Sequence, residues 1–407
     1  MTGSGGPITI MKYKILFTVP SALVAGVVAT AVTVGDGPLL DLRDRMLGTD
    51  TRNPSRSRQV AASPGAVQPA RWKPGMREWG VNVYYVNSPR DDEAHVRAKA
   101  QRMMRYLVSL NANAVSINFP FRMAGPTSSE VGAIPRRTPT PRRLGIVLRE
   151  ARAAGLRVTV RPLMDETNLV RTETEWRGAV QPASRDGWFA SYRTFLSPYL
   201  KVAADEQAAT FVIGTELNSL QADRRWRGLA AWAQRRFPGE LSYDMNWDSF
   251  RTDRRSVPFR RIGLDAYPPL GLPDDATVKQ LALGWKNWLD GMHDGRPSRI
   301  LLSEVGIAAQ TGAYSAPGDW VNRRRVDQTM QARWYTAVCW VVRKNNMRGL
   351  YWWMVDFDTD PANADPERSA RLSFAGRPKT EQAIRTCFRG RTPERHPTVT
   401  PTRTPQQ

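Results

Sequence analysis

The sequence predicts an α/β fold, a (β/α)8 TIM barrel in a single domain, and three observations lead there. Eight short runs rich in β-branched and aromatic residues alternate with longer stretches of helical period between Gly75 and Phe388. No G-x-G-x-x-G follows the first run, which argues against an open dinucleotide-binding sheet. With 41% apolar residues, 24% charged and 14 Trp in 407 residues, the chain has the material for a large core, so wholesale disorder is excluded.

The elements follow in order. Residues 1–35 contain an uncharged run, Ile15 to Gly35, behind Lys12 and Lys14, the layout of an export signal or a retained membrane anchor. Ala29-Thr30-Ala31 offers a small-x-small cleavage site, and in both cases the rest of the chain is expected on the outer face, secreted or anchored outside the cytoplasm. Residues 36–75, rich in Pro, Ser, Ala and Arg towards their end, read as a linker. The domain then occupies 76–388, and the Pro- and Thr-rich tail 389–407 reads as disordered.

Within the domain the predicted strands are Trp79–Tyr85, Ala114–Phe119, Arg157–Met164, Thr210–Leu217, Leu241–Asn246, Arg261–Tyr267, Arg299–Val305 and Gly349–Val355. Helical periodicity places helices near 92–110, 140–155, 186–205, 223–236, 276–291, 322–344 and 378–388. The fifth unit is the weak one, with no convincing helix between Asn246 and Arg261.

Charge and side-chain inventory narrow the function. The net charge of +21 raises anionic polymers as partners, but about +5 lies in residues 1–75 and about +3 in the tail. The remainder is scattered Arg among acidic residues, a solvated basic face rather than a nucleic-acid surface. Two cysteines, Cys339 and Cys387, exclude a disulfide framework and a Cys-based zinc site; they either pair or lie as two buried thiols. His95, His293 and His396 lack metal-ligand spacing and give a Ser-His-Asp triad no support. Asp356, Asp358, Asp360 and Glu367 carry the ligand spacing of a calcium loop, yet Pro361 stands where a positive-φ glycine is needed, so the segment reads as a polar loop. No metal or cofactor is expected.

In a barrel of this kind, function gathers where strands run out into the following loops. The strand ends here are polar and aromatic: Asn82 and Tyr85 on the first, Arg161 and Asp165 on the third, Asn246 and Trp247 on the fifth, Asp265 and Tyr267 on the sixth, Trp352 and Trp353 on the eighth. Glu216 closes FVIGTEL on the fourth strand and Glu304 closes ILLSEVG on the seventh. One such carboxylate is readily explained as an arginine partner. Two, at strands lying across the mouth from each other, form the pair that glycosidic cleavage needs: one kept protonated, the other ionised.

The runs FVIGTELNSL, LLSEVGIAA, LDAYPPL and GLYWWMVDFD together resemble the clan A glycoside hydrolases, and within them glycoside hydrolase family 113, whose known members are retaining β-mannanases. The resemblance covers Glu78 to Arg385. It implies that Glu216 is the acid/base and Glu304 the nucleophile, that Tyr267 donates to the nucleophile, and that Trp352 or Trp353 floors the subsite of the sugar under attack. It departs at Thr215, where much of the clan has Asn meeting the sugar 2-hydroxyl.

Other residues complete the expected site. Trp247 at a strand end suits stacking on a pyranose face, and only one of Trp352 and Trp353 should face the barrel axis because successive strand residues alternate. Asn82, Asp165, Asn246, Asp265 and Tyr85 are expected to meet sugar hydroxyls, and Arg161, a cation inside a strand, to lie beside a cleft carboxylate. The expectation is therefore a retaining hydrolase of β-linked mannan or a related β-glycan, with a poly- or oligosaccharide as partner, no nucleic acid, and action as a monomer. Its rivals are a cell-envelope barrel that binds glycan without cutting it and a basic surface protein that grips anionic polymer.

Overall fold

The structure, a computed structural model, describes residues 72–389 except 167–168, 170–175, 251–260, 292–296, 320–322 and 368. The apolar run Ile15–Gly35, the linker up to residue 71 and the tail from 390 lie outside the described residues, and among the described residues no helix is long and apolar enough to cross a membrane.

Nine strands alternate with helices. They are β1 (Glu78–Tyr84), β2 (Ala114–Met123), β3 (Val131–Gly132), β4 (Arg157–Met164), β5 (Thr210–Thr215), β6 (Glu240–Asn246), β7 (Ile262–Ala266), β8 (Leu301–Val305) and β9 (Gly349–Asp356). All but β3 pair in parallel, in the order β1-β9-β8-β7-β6-β5-β4-β2, and β1 pairs β2 to close the ring. The result is a closed eight-stranded (β/α)8 barrel; β3 is a short antiparallel partner of β2 that the periodicity did not reveal.

The surrounding helices are α1 (Glu93–Ser109), α2 (Pro141–Ala153), α3 (Arg185–Asp205), α4 (Arg225–Gln234), α5 (Trp247–Phe250), α6 (Val278–Asp290), α7 (Gln328–Lys344) and α8 (Pro378–Phe388). Their starts are chemically marked. Asp92, Thr140, Ser184 and Asp327 each accept a backbone N–H of the first turn, and Thr277 with Gln280 forms a capping box. Asp327 also corrects the sixth predicted helix: α7 begins at Gln328, not 322, because residues 323–327 cross to bridge Gln310 with Val326. In the fifth unit only the single turn α5 follows β6 among the described residues.

Cys339 on α7 and Cys387 on α8 are joined, with Cα atoms 5.7 Å apart, and the link closes a 48-residue loop. The polar loop expected after the eighth strand carries ion pairs: Asp358 meets Lys99 at 2.8 Å and Asp360 meets Arg102 at 3.6 Å.

Strand alternation sorts the side chains into two cores. Trp79, Val81, Val83 and Tyr85 of β1 point out against the helices, as do Val158 and Val160 of β4. Their inward neighbours are polar. At the base, Arg261 donates to both oxygens of Glu78, at 2.6 and 2.7 Å, and Tyr351 adds a bond of 2.7 Å. Burial by itself would raise the Glu78 carboxyl; Arg261 overcomes it and brings it down to about 2. Above this layer Ser116, Thr159, Thr210, Ser242 and Ser303 line a cavity of ≈ 10 Å³, about one water in size. Gly263 makes the next layer possible, since a Cβ there would fall 2.2 Å from Asp244 Oδ1 and 2.3 Å from Ser303 Oγ.

Candidate active site

Four strands deliver one buried charge cluster beneath the barrel mouth. Arg161, inward on β4 and 1% exposed, donates through Nε to Asp244 at 2.9 Å and through Nη2 to Asp265 at 2.6 Å. Its Nη1 donates to both Asn118, at 3.0 Å, and Glu304 Oε2, at 2.7 Å. Burial favours discharging a guanidinium, but three carboxylates more than offset it and its pKa rises. The carboxylates outnumber the cation. Burial and then mutual repulsion push Asp265 well above the usual carboxylate range, and Asp244 upward as well, despite Arg161.

Glu304 sits on top of this cluster at the end of β8. Tyr267 Oη donates to its Oε1 at 2.7 Å while Arg161 holds Oε2, so both oxygens accept and the side chain is fixed from two sides. Burial first, and the nearby Glu304 carboxylate next, raise the Tyr267 phenol well above its ordinary value, so it remains a donor.

Glu216 stands at the end of β5, 8% exposed. The strand ends at Thr215, and Glu216 itself takes φ of 53°, a left-handed conformation uncommon for a residue with a side chain. Gly214, two residues earlier, leaves room for the Tyr243 and Trp226 rings, the first of which would be 2.5 Å from a Cβ there. Glu216 Oε1 accepts from Asn246 Nδ2 at 3.1 Å and Oε2 from Arg177 Nη1 at 3.0 Å. Burial raises its carboxyl to about 7; Arg177 pulls it down, and the charge of Glu304 across the mouth pushes it up. Two buried acids thus stand at the ends of β5 and β8 in different surroundings, one raised to about 7 and held by Asn246 and Arg177, the other held by Arg161 and Tyr267.

The sequence profile described as Glycoside Hydrolase Family 113 matches residues 84–370. The chain belongs to glycoside hydrolase family 113. It is therefore a glycoside hydrolase, and Glu216 and Glu304 both lie within the matched span.

Solved structures place other proteins of this kind on the same fold. A β-1,4-mannanase of family 113 superimposes with a TM-score of 0.62 at 18% identity, covering 78% of this chain and 100% of that one. The family 113 β-mannanase from Alicyclobacillus acidocaldarius, in complex with ManMIm, gives 0.61 at 22% identity, covering 77% and 97%. No curated protein sequence matches the chain.

In this family 113 hydrolase the remaining expected residues divide into those that reach the mouth and those that do not. Trp353 is part-buried among Tyr84, Leu163 and Met354 at the mouth, with the Arg161 guanidinium 5.9 Å from its ring. Trp352 does not line the cleft; it turns outward and stacks on Tyr335 of α7 with ring centroids 3.9 Å apart, as alternation along β9 demands. Tyr85 likewise faces outward, against Phe357 at 4.3 Å. Asn82 and Asp265 are fully buried below the mouth, where Asn82 donates to the Ser303 carbonyl at 3.0 Å and Asp265 accepts from Ser303 Oγ at 2.8 Å. They brace the cluster instead of meeting sugar. Asp165 pairs with Arg137 at 3.7 Å, and Trp247, part-buried, opens α5 beside Asn246.

Asn118 and Arg177 escaped the sequence reading, and Asp244 was read only as a polar residue near the end of the fifth strand. Asp244 and Asn118 had a signal, since each sits at an even step from another inward residue of its strand. Arg177 had none, lying in a loop turn (Arg177–Ala179) without periodicity.

Proposed function

We propose that this hydrolase cleaves β-1,4-linked mannan or a closely related β-glycan with retention of anomeric configuration. The observation that carries the reading is the unequal treatment of the two opposed carboxyls. Glu216, raised to about 7 by burial, is suited to arrive at the substrate protonated, whereas Glu304 accepts from Arg161 and Tyr267, which fix its two oxygens. The names of the solved family 113 proteins, β-mannanases, support the choice of mannan.

In the first step a Glu304 oxygen attacks the anomeric carbon, the glycosidic C–O bond breaks, and the Glu216 proton passes to the leaving oxygen. In the second, water attacks the same carbon, its proton returns to Glu216, and the bond to Glu304 breaks. Trp353 floors the subsite, and Asn246 and Trp247 flank the side of the acid/base. The donors on Glu304 must also release it as a leaving group, which a shared guanidinium assists by favouring the free carboxylate.

Export fits the same reading. The Ile15–Gly35 segment behind two lysines would carry the barrel to a polymeric substrate outside the cell, and the Cys339–Cys387 link suits an oxidising compartment.

The test is incubation of the purified protein, wild type and Glu304→Ala, with β-mannan, glucomannan, cellulose and xylan oligosaccharides, with the anomer of the first product read by NMR. Shortened mannan products of β configuration that vanish in the variant are expected. Cleavage of another glycan, or an α first product, overturns the substrate or the mechanism respectively.

A further inference from the structure

Glu216 must act as an acid in one half of the reaction and as a base in the other, and its immediate partners decide how readily it changes. Among the described residues its carboxyl is held by Asn246 and Arg177. Arg177 is itself divided: its Nε lies 3.2 Å from Glu166 Oε1, and its backbone N–H donates to the same oxygen at 3.1 Å. The turn that carries it is pinned beside the acid, because Ser219 Oγ, three residues after Glu216, donates to the Val180 carbonyl at 2.6 Å.

We propose that Arg177 is a positioning residue for proton transfer, shared between Glu216 and Glu166 so that it stabilises the Glu216 anion once the leaving group has taken its proton. The inference rests on the assignment of Glu216 as acid/base. A guanidinium has five donors, no acceptor and a fixed positive charge, so it stabilises the deprotonated form of Glu216 over the protonated one. Paired with Glu216 alone, it would discharge the acid before the first step; Glu166 holds back part of that influence. With Glu216 protonated, Arg177 retains a partner in Glu166 and is never left buried and unpaired. The other charged or titratable groups facing the pair are Glu304 on β8, Arg161 on β4 and Tyr84 on β1, and Tyr243 on β6 with Tyr267 and Asp265 on the β7 side also sense Glu216. Burial opposes the Arg177 charge, and Glu166, then Glu216, more than restore it.

The two neighbours give tests of opposite sign. Arg177→Ala should move the alkaline limb of the kcat/KM profile upward by about one pH unit or more. It should also slow turnover of aryl glycosides with good leaving groups by about tenfold, with a burst showing that the glycosyl-enzyme accumulates. Arg177→Lys should restore part of both. Glu166→Gln, which leaves Arg177 wholly to Glu216, should move the same limb downward. Loss of kcat in Arg177→Ala at an unmoved limb, or limbs moving the same way in both variants, overturns the proposal. Should Arg177→Ala not fold, as judged by circular dichroism, the downward shift in Glu166→Gln still decides. Glu216→Ala with azide separates the premise: if azide restores no turnover of aryl glycosides, the acid/base assignment fails and not merely the role of Arg177.

Discussion

The Arg161 guanidinium lies 2.7 Å from Glu304 Oε2 and spends its remaining donors on Asp265, Asp244 and Asn118. No other side chain in contact with these three buried carboxylates is a cation among the described residues. Arg161→Met should therefore abolish activity and cost at least about 3–5 kcal/mol, the usual effect of stripping a buried charge of its partner. The deficit should shrink as the pH falls, because the orphaned carboxylates are then protonated. Thermal unfolding of the variant at several pH values checks this, and a deficit independent of pH counts against it. Lysine is no remedy, having three donors on one nitrogen for four partners.

Glu216 links activity to stability. Its carboxyl, raised by burial from 4.5 to about 7, is neutral when folded over a range where the unfolded chain is ionised. Stability contributed by the protonated form is present below pH 4.5 and lost as the pH rises through about 7. Glu216→Gln, which cannot ionise, should gain on wild type across that window by up to about 3 kcal/mol and show a constant difference above it. With Glu216 as the proposed acid, the same proton should set the alkaline limb of kcat/KM near pH 7. A wild-type limb near pH 5, or a Tm difference that does not grow with pH, contradicts the assignment.

Trp352 and Trp353 are neighbours with opposite duties. Trp353→Ala should lower kcat/KM on oligosaccharides by about tenfold or more while leaving Tm nearly unchanged, since the loss is of stacking at the mouth. Trp352→Ala should cost about 3–5 kcal/mol through the cavity left against Tyr335, with any loss of activity following the loss of folded protein. Equal Tm losses in both variants would contradict this division.

The Cys339–Cys387 link closes 48 residues between α7 and α8, for which the chain-entropy account gives about 4 kcal/mol. Cys339→Ser with Cys387→Ser, or wild type under reductant, should lower Tm markedly. Both cysteines lie in the later turns of helices that run back from the mouth, so turnover at temperatures well below Tm should persist.

Much of the molecule was legible because its signals are periodic. Strand boundaries at Arg157–Met164 and the helix at 378–388 were readable from alternation, Pro378 and the apolar spacing. Glu216 and Glu304 stood out as single acids closing apolar strands. What failed was the facing or the depth of particular strand-end side chains. Trp352, Tyr85, Asn82 and Asp265 are all at strand ends, yet the first two face the helices and the others lie a layer too deep to meet sugar.

The sequence by itself determined the eight strands and most of the helices between them, the opposed strands on which the two glutamates lie, and hence the family and its hydrolytic chemistry, because these depend on residue type and spacing along one chain. Tertiary structure alone decided that one guanidinium from β4 is shared among carboxylates from β6, β7 and β8. It alone brought Arg177 from a loop without pattern onto the acid of β5. Those contacts join residues 39 to 143 positions apart, and which of a carboxyl's neighbours is a cation, a phenol or another acid is set by barrel closure and register. That choice separates a carboxyl raised by burial to about 7 from one gripped between a guanidinium and a phenol.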